Sequence, residues 1–444
     1  MTDVGSKDDT GFRNVQNIVE EYNKNKQKVT KKFLMGVIDV LKAFIVEHEL
    51  VVYGGLALNE LLPKSKKFYT STAIPDYDCF SPRAKEHAIE LANALHKKGY
   101  KFIEVKGAVH DGTYKVFVQF NQVADITSVH QSFYDGIRML SKKEHADKSI
   151  KDKRENRTCL LAPINLLKSS LYQELSSPRS TYRWEKLYKR KQVFVKEYDK
   201  YSHVEKVKTT TLFSLTPVGS EFKHVIDAIK QMIKVNKIPL IGAFAITLTQ
   251  GSDVIDYSKI MRFFSVFDIL TIDPDATVQM FENTIGDMLK ANGFELYIEE
   301  RSRYQEIIPK RVRVFIRPIG SNDRKGISLA TMHVCSSMCK STIEKKGYVV
   351  GTCNAILSLL YAYTILYAVY WKNPEESCGH IFTLAWEFED WIKSEKLDVK
   401  SQFTQTCFGK QPTIDTIKKN GWDNTDPGFL YRPDKTKSGI AVSI

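Results

Sequence analysis

The segment Val51-Val52-Tyr53-Gly54-Gly55-Leu56-Ala57-Leu58 passes from a short apolar run, through two glycines, into residues with helical apolar spacing. This pattern predicts a β-strand that turns into a helix at the glycine pair. Two glycines there let the backbone approach a triphosphate closely, and the start of the helix offers unpaired N–H groups to its oxygens. Gly54 and Gly55 are therefore candidate residues for binding the phosphates of a nucleotide.

A pair of acids follows in a short strand-like run over residues 74–80, where Asp76 and Asp78 are separated by one residue. Alternate residues of a strand point to the same face, so we expect the two carboxylates to converge. Asp125 lies in another predicted strand, between apolar residues. Carboxylates that share a face repel each other unless a cation or a proton lies between them. The alternative is that Asp76 and Asp78 are turn residues beside Pro75 and that Asp125 is a surface acid.

Three carboxylates on neighbouring strands provide hard oxygen ligands of the kind that Mg²⁺ prefers. We therefore predict a site for two Mg²⁺ or Mn²⁺ ions at Asp76, Asp78 and Asp125. Two such ions clamp the attacking hydroxyl and the leaving pyrophosphate in an in-line displacement. The pattern predicts a nucleotidyl transfer, without selecting the base or the acceptor.

The order of predicted strands and helices around these motifs indicates a mixed α/β domain. A length of 444 residues predicts two or three domains. We expect an N-terminal helical segment over 1–49, a catalytic domain over 50–205 with a central mixed sheet and flanking helices, and a C-terminal domain over 206–444 with a helical extension.

A weak internal repeat supports this division of the chain. Residues 239–246 again pass from an apolar run through a glycine, Gly242, into an apolar helix, with Ala243 in the place of Gly55. Downstream, Asp268 has no second acid two residues away, unlike Asp76 and Asp78. The repeat predicts a second, degenerate unit over about 221–318 that has lost the metal site.

The charge balance indicates a polyanion as partner. The chain has 65 Lys and Arg against 52 Asp and Glu, a net charge of +13 and a pI near 9.1. Apolar residues make up 43% of the sequence and charged residues 26%, which is ordinary globular usage and excludes wholesale disorder.

Two basic segments are candidate binding surfaces. Arg183, Lys186 and Arg190 have the spacing of one helical stripe and are candidates for the nucleotide phosphates or the RNA backbone. An amphipathic helix with core aromatics fits the same spacing. Further along, alternate residues of a predicted strand are candidates for RNA contact, although a solvated strand face is the ordinary explanation; they are Arg311, Arg313 and Arg317.

Cysteine usage and hydropathy give expectations about the compartment. Seven Cys, an odd and sparse number, predict no disulfide framework and a reducing, intracellular compartment. The N-terminus lacks the pattern of a secretory signal. Residues 353–371 are uncharged over nearly the length of a membrane span, but their Tyr, Asn and Thr content favours a buried core helix. We predict no membrane association.

The glycine pair, the Asp76-x-Asp78 pair and Asp125 together resemble the polymerase-β-type nucleotidyltransferase superfamily. Within it, residues 177–190 resemble the poly(A) polymerases of large cytoplasmic DNA viruses, the poxviruses and giant viruses. Residues 63–72 make the interval between the glycines and the acid pair longer than is usual in the superfamily.

The resemblance implies template-independent transfer of AMP from ATP to the 3′ end of an RNA, such as an mRNA. Gly54 and Gly55 would lie beside the triphosphate, the three acids would ligate the metals, and Asp125 would deprotonate the primer hydroxyl. It also implies a location in the virion and the host cytoplasm, and it makes a homodimer or a processivity partner plausible. Two other functions stay open: a terminal transferase with a different nucleotide or acceptor, and a non-catalytic RNA-binding scaffold.

Overall fold

The computed structural model describes residues 32–69, 75–108, 112–145, 150–151, 158–199, 222–255, 265–304, 307–321, 326–335, 338–370, 374–395, 397, 404–408, 428–433 and 442–443. Residues 1–31 of the predicted N-terminal helical segment and the predicted domain boundary at 205–206 lie outside this range.

The described chain contains both helices and strands. The helices are α1 (32–47), α2 (Gly54–Leu61), α3 (Ala84–Lys97), α4 (Gln131–Glu144), α5 (Ile164–Ser176), α6 (Trp184–Glu197), α7 (Lys223–Val235), α8 (Ala243–Thr249), α9 (Pro274–Ala291), α10 (Cys353–Tyr370) and α11 (Pro374–Ser394). The strands are β1 (Val51–Tyr53), β2 (Tyr77–Ser81), β3 (Ile103–Gly107), β4 (Thr113–Val118), β5 (Asn121–Ser128), β6 (Ile150–Lys151), β7 (Thr158–Leu161), β8 (Phe267–Thr271), β9 (Phe294–Arg301), β10 (Arg311–Pro318), β11 (Ile327–Val334), β12 (Met338–Lys345), β13 (Tyr348–Gly351), β14 (Thr404–Phe408), β15 (Phe429–Tyr431) and β16 (Val442–Ser443).

A mixed sheet organises the first half of the chain, with strand order β16-β15-β3-β4-β5-β2-β1-β7-β6. Strand β1 pairs antiparallel with β2 and parallel with β7, and β2 pairs parallel with β5. Helix α3 lies against one face of this sheet, where the ring of His87 contacts the Ser81 hydroxyl. This arrangement confirms the predicted mixed α/β fold.

The strand-like run predicted over residues 74–80 starts too early. Strand β2 begins at Tyr77, and Asp76 precedes it as an exposed residue. The reason is Pro75, since a proline has no backbone N–H to donate to a ladder.

A second sheet has the strand order β8-β11-β10-β9, with β11 parallel to β8. Leu240, just before α8, bridges antiparallel to Ile269 of β8 and parallel to Val350 of β13. The resulting order, β9-β10-β11-β8-Leu240-β13, has the same sequence of neighbours and directions as β3-β4-β5-β2-β1-β7.

Helices join the two halves. The apolar helix α10 has the length and hydropathy of a membrane span, but 72% of its length is buried inside the protein, against α5 and α11. At this junction the buried Lys168 of α5 faces Glu389 of α11. Strand β15 pairs with β3, and β16 pairs with β15, so these two strands extend the first sheet.

The cysteine count predicts no disulfide framework, and the described residues contain one disulfide. Cys339 of β12 and Cys407 of β14 are partners in an antiparallel ladder and form a disulfide. Cross-strand neighbours have close Cβ atoms, which allows the bond although the two residues are 68 positions apart.

Candidate active site

The glycine turn brings the backbone against a carboxylate. Gly54 starts α2 with a φ of +67°, a conformation that glycine adopts readily. A Cβ at this position would lie 2.3 Å from Oδ2 of Asp78. Gly54 is therefore required both by its backbone angle and by the approach of the Asp78 side chain.

The two strand acids lie side by side. Asp78 of β2 is the register partner of Asp125 in the parallel strand β5, so both side chains project from the same face of the sheet. The pKa of Asp78 is raised to about 7, mainly by burial and then by the negative charges of Asp125 and Asp76. The carboxylates thus form a site of concentrated negative charge.

Asp76 lies beside this pair as an exposed residue ahead of β2. Its charge raises the pKa of Asp78. Arg190, burial and Arg183 lower the pKa of Lys186, and Asp76 offsets part of that lowering. Asp76 is therefore within electrostatic reach of both Asp78 and the basic helix α6.

Both oxygens of Asp125 have neighbours within the sheet. Nζ of Lys115 on β4 donates to Oδ2 at 2.6 Å, and Nε2 of Gln122 donates to Oδ1 at 2.8 Å. The sequence analysis missed Lys115. The only sequence signal is that Lys115 alternates with the buried Val116 and Val118 in a strand next to that of Asp125.

Polar and aromatic side chains line the same face beneath the carboxylates. The Tyr53 hydroxyl lies 2.8 Å from that of Thr127, which lies 2.9 Å from the Thr113 hydroxyl. The Tyr53 ring stacks on Phe80 at 3.9 Å. A cavity of about 250 Å³ opens here; its lining includes Tyr53, Gly54, Gly55, Asp78, Phe80, Asp125, Thr127, Arg183 and Arg190.

The predicted basic stripe lies at this cavity. Arg190 of α6 is buried, with its guanidinium 4.4 Å above the Phe68 ring and Nη2 donating to the Tyr69 hydroxyl at 3.1 Å. A Cβ at Gly55 would lie 2.8 Å from Nη1 of Arg190. The second glycine is thus needed for this close approach.

Arg183 and Lys186 complete the stripe. Arg183 precedes α6 and lines the cavity, whereas Lys186 is exposed on the first turns of the helix. The helix also has the amphipathic character of the alternative interpretation, because Trp184 and Tyr188 pack against the hydrophobic core.

The long interval between the glycines and the acids is anchored to α2. Oδ1 of Asn59 accepts hydrogen bonds from the backbone N–H groups of Phe68 and Tyr69, at 3.0 and 2.9 Å. This holds Tyr69 beside Arg190. Residues 70–74 lie outside the described part of the chain.

The arginines of the second candidate surface have partners within the fold. Arg311 is buried, with its guanidinium 5.7 Å from the Tyr304 ring centroid. Arg313 lies 3.7 Å from Glu299, and Arg317 donates to Glu295 at 2.8 Å. The strand itself is present as β10, while RNA contact by these residues stays a prediction.

A further group of possible ligands lies on the other face of the sheet, at α3. The ligand atoms of His48, His87 and Glu90 all lie within 4.8 Å of one another. Nε2 of His87 faces the Arg83 guanidinium at 3.0 Å, so a cationic group already fills this space. The sequence analysis did not identify this group, and we assign no metal to it.

The mixed α/β fold places the glycine turn against the paired strand carboxylates, the arrangement expected from the resemblance to nucleotidyltransferases. Residues 39–150 match the family model described as poly(A) polymerase catalytic subunit. This match confirms, for that segment, the resemblance predicted from the motifs.

Individual relatives agree with the family match. A poly(A) polymerase catalytic subunit inferred for Acanthamoeba polyphaga mimivirus is 38% identical over 108 residues, covering 23% of this chain and 18% of the relative. One inferred for an African swine fever virus isolate from Kenya is 33% identical over 119 residues, covering 27% and 25%. The matched segments thus span a quarter or less of these relatives.

The fold comparison extends over nearly the whole chain. The crystal structure of the Megavirus polyadenylate synthase superposes with a TM-score of 0.70 and 18% sequence identity, covering 98% of this chain and 87% of the other. At this identity the comparison shows a shared fold.

Proposed function

We propose that this protein is a template-independent poly(A) polymerase that transfers AMP from ATP to the 3′ hydroxyl of an RNA. The observation that carries the proposal is the register of Asp78 with Asp125 against the left-handed Gly54 turn. It supplies converging carboxylates beside a backbone that a triphosphate can approach.

The donor set fits a divalent metal. Burial and the negative charges of Asp125 and Asp76 raise the pKa of Asp78, and a bound cation relieves that repulsion. These three residues would hold two Mg²⁺ or Mn²⁺ ions, which when bound stabilise charge on the attacking and leaving oxygens.

The triphosphate belongs on the α2 side of the carboxylates. The start of α2 presents backbone N–H groups at Gly54 and Gly55, and Arg190 lies directly against Gly55. Arg183 at the cavity wall and Lys186 add positive charge. These groups orient the β- and γ-phosphates and neutralise the pyrophosphate as it leaves.

The primer hydroxyl belongs on the Asp125 side. Its oxygen forms a bond to the α-phosphorus of ATP, the bond from that phosphorus to the pyrophosphate oxygen breaks, and Asp125 takes the hydroxyl proton. Lys115 and Gln122 fix the orientation of the Asp125 carboxylate for this role.

We further propose that the second half contains a degenerate nucleotidyltransferase-like unit. Gly242 lies against Asp268 as Gly54 lies against Asp78, since a Cβ at Gly242 would lie 2.0 Å from Oδ2 of Asp268. The register partner of Asp268 is Thr331, where Asp78 has Asp125.

The surroundings of Asp268 differ from those of Asp78 in a way that supports loss of the metal site. Two residues before Asp268 the chain has Val266, where the first unit has Asp76. His333 lies 3.5 Å from Oδ1 of Asp268, and both side chains are buried. A single acid beside a histidine does not provide the carboxylate set that two hard cations require.

The deciding assay supplies each nucleoside triphosphate separately, with Mg²⁺ or Mn²⁺ and a short RNA primer. The proposal expects extension with ATP and none by Asp78→Asn, while Asp268→Asn extends the primer as wild type does. Preference for UTP would favour a different terminal transferase. An inactive wild type would favour an RNA-binding scaffold. Sedimentation of the active protein tests the predicted homodimer.

A further inference from the structure

A row of charged side chains continues from the carboxylates across the sheet. Lys115 of β4 is the register partner of Asp125 on one side and of Lys106 in β3 on the other. Phe117 of β4 is likewise opposite Glu104 of β3. Side chains of cross-strand partners lie on one face, so this row belongs to the face that carries the carboxylates.

The intervening residues of these strands point the other way, toward α3. Val105, Val116 and Val118 are fully buried. Tyr431, the register partner of Val105, donates from its hydroxyl to Asn93 of α3. One face of β3 and β4 is thus apolar and covered, and the other is basic and accessible.

The accessible row is mostly cationic. The side chains of Lys106, Lys115 and Arg432 are 45%, 28% and 35% exposed. Glu104 pairs with both Lys106, at 2.6 Å, and Arg432, and it is 14% exposed. Nζ of Lys106 lies 5.2 Å from the centroid of the Phe117 ring. We name Lys106, Lys115, Phe117 and Arg432 the basic face.

The position of the basic face distinguishes it from the triphosphate side. The sheet order β3-β4-β5-β2-β1 places Asp78 and Asp125 between the basic face on β3 and β4 and the glycine turn after β1. An in-line transfer needs the attacking and leaving oxygens on opposite sides of the reacting phosphorus. A polyanion on the basic face therefore approaches from the side of the nucleophile.

We propose that the basic face binds the 3′-terminal nucleotides of the single-stranded RNA primer. Lys115 and Lys106 contact successive backbone phosphates, Phe117 stacks on a base, and the terminal hydroxyl reaches Asp125. Adjacent strands are about 4.8 Å apart, so the two lysines stand one and two strand spacings from the Asp125 strand. Cations that track a backbone beside an aromatic ring are the usual means of holding single strands. The assignment of RNA as the occupant rests on the function proposed above.

The experiment measures binding of a fluorescein-labelled 12-nucleotide RNA by anisotropy, without ATP, for wild type, Lys106→Glu and Phe117→Leu. Lys97→Glu is the matched control, because Lys97 is exposed at the end of α3 on the opposite side of the sheet and carries the same charge change. We expect Kd to rise about tenfold for Lys106→Glu and severalfold for Phe117→Leu, whereas Lys97→Glu stays within about twofold.

Salt dependence gives a second readout. Loss of one phosphate contact lowers the slope of log Kd against log salt concentration by about 0.7 for a single strand. We expect this change for Lys106→Glu and none for Phe117→Leu. In primer extension, both variants raise the KM for primer and leave the KM for ATP unchanged.

The inference is overturned if the basic-face variants bind RNA as wild type does, or if Lys97→Glu weakens binding as much as Lys106→Glu. Matching thermal unfolding of all variants shows that the comparison concerns folded protein. A wild type that binds RNA without extending it contradicts the proposed polymerase function. In that case the binding comparison among variants still decides whether the basic face holds RNA.

Discussion

Nζ of Lys115 lies 2.6 Å from Oδ2 of Asp125, so the lysine ammonium donates to a carboxylate that is one of the three predicted metal ligands. Nε2 of Gln122 occupies the other oxygen. A carboxylate oxygen has two lone pairs, so a cation that binds Asp125 can share an oxygen with one of these donors. The Lys115 ammonium nevertheless competes electrostatically with the metal, because its positive charge repels a cation at Asp125, and it lies at the start of the basic face.

The first prediction concerns this competition. We expect Lys115→Met to tighten Mn²⁺ binding by about tenfold, because a competing positive charge a few ångströms from the metal is removed. Isothermal titration with Mn²⁺ in the absence of ATP and RNA measures the change. Gln122→Leu is the control: it frees an Asp125 oxygen without removing a charge, so its effect should be smaller. Weaker Mn²⁺ binding by Lys115→Met would contradict competition.

The second prediction separates backbone strain from steric contact at the glycine turn. Gly54→Ala places a methyl group 2.3 Å from Oδ2 of Asp78, in addition to its unfavourable φ. We expect a loss of activity of at least about hundredfold, because the carboxylate has to move by roughly 1 Å. Primer extension at saturating ATP measures it.

Gly99→Ala is the matched control for that variant. Gly99 also has a positive φ, +89°, but a Cβ there meets nothing within 4 Å. Gly99→Ala should lower the free energy of unfolding by about 1–2 kcal/mol through backbone strain alone, and it should leave primer extension unchanged. Equal activity losses for the two variants would show that contact with Asp78 is not the cause.

The third prediction concerns the triphosphate side. Arg190→Met removes a guanidinium that lies against Gly55 and above the Phe68 ring. We expect the KM for ATP to rise about tenfold or more, because the free energy of one charge-assisted hydrogen bond is lost. The KM for primer should change little. Lys189→Met, one residue away and 71% exposed, is the control and should leave both constants unchanged. A change confined to the primer KM would place Arg190 on the RNA path instead.

Sequence alone predicted the parts of the site that depend on local pattern. The Gly54 turn is predicted because the glycine lies where a strand-like apolar run gives way to helical apolar spacing. Asp78 and Asp125 stand out as acids inside apolar strands. Lys115 was missed because its significance depends on the register of β4 with β5, and a lysine in a half-buried strand is otherwise ordinary.

Contacts between distant segments were also beyond the sequence analysis. The Cys339–Cys407 bond depends on the pairing of β12 with β14, across 68 positions of chain. The same holds for the arginines of β10. Their spacing correctly predicted a strand, but their acidic partners on β9 follow from the ladder, which the spacing does not specify.

The last prediction concerns the junction of the two halves of the chain. Lys168 of α5 is fully buried, and its Nζ lies 3.6 Å from Oε2 of Glu389 in α11. The Tyr361 hydroxyl of α10 donates to the same oxygen at 3.0 Å, and the Tyr172 hydroxyl donates to Oε1. Burial lowers the pKa of Lys168, whereas the negative charge of Glu389 raises it. The carboxylate therefore helps to keep the buried lysine protonated.

We expect Lys168→Met to lower the free energy of unfolding by about 3–5 kcal/mol, because it leaves Glu389 as an unpaired buried charge. The double variant Lys168→Met, Glu389→Gln should recover most of this loss, since no charge is buried. The amide oxygen can accept from one tyrosine hydroxyl while the amide NH2 donates to the other. Urea unfolding of both single variants and the double variant measures the coupling. Lys237→Met, which breaks the exposed pair with Glu344, is the control and should remain close to wild type. If Lys168→Met is no more destabilising than this control, the buried pair does not hold the two halves together.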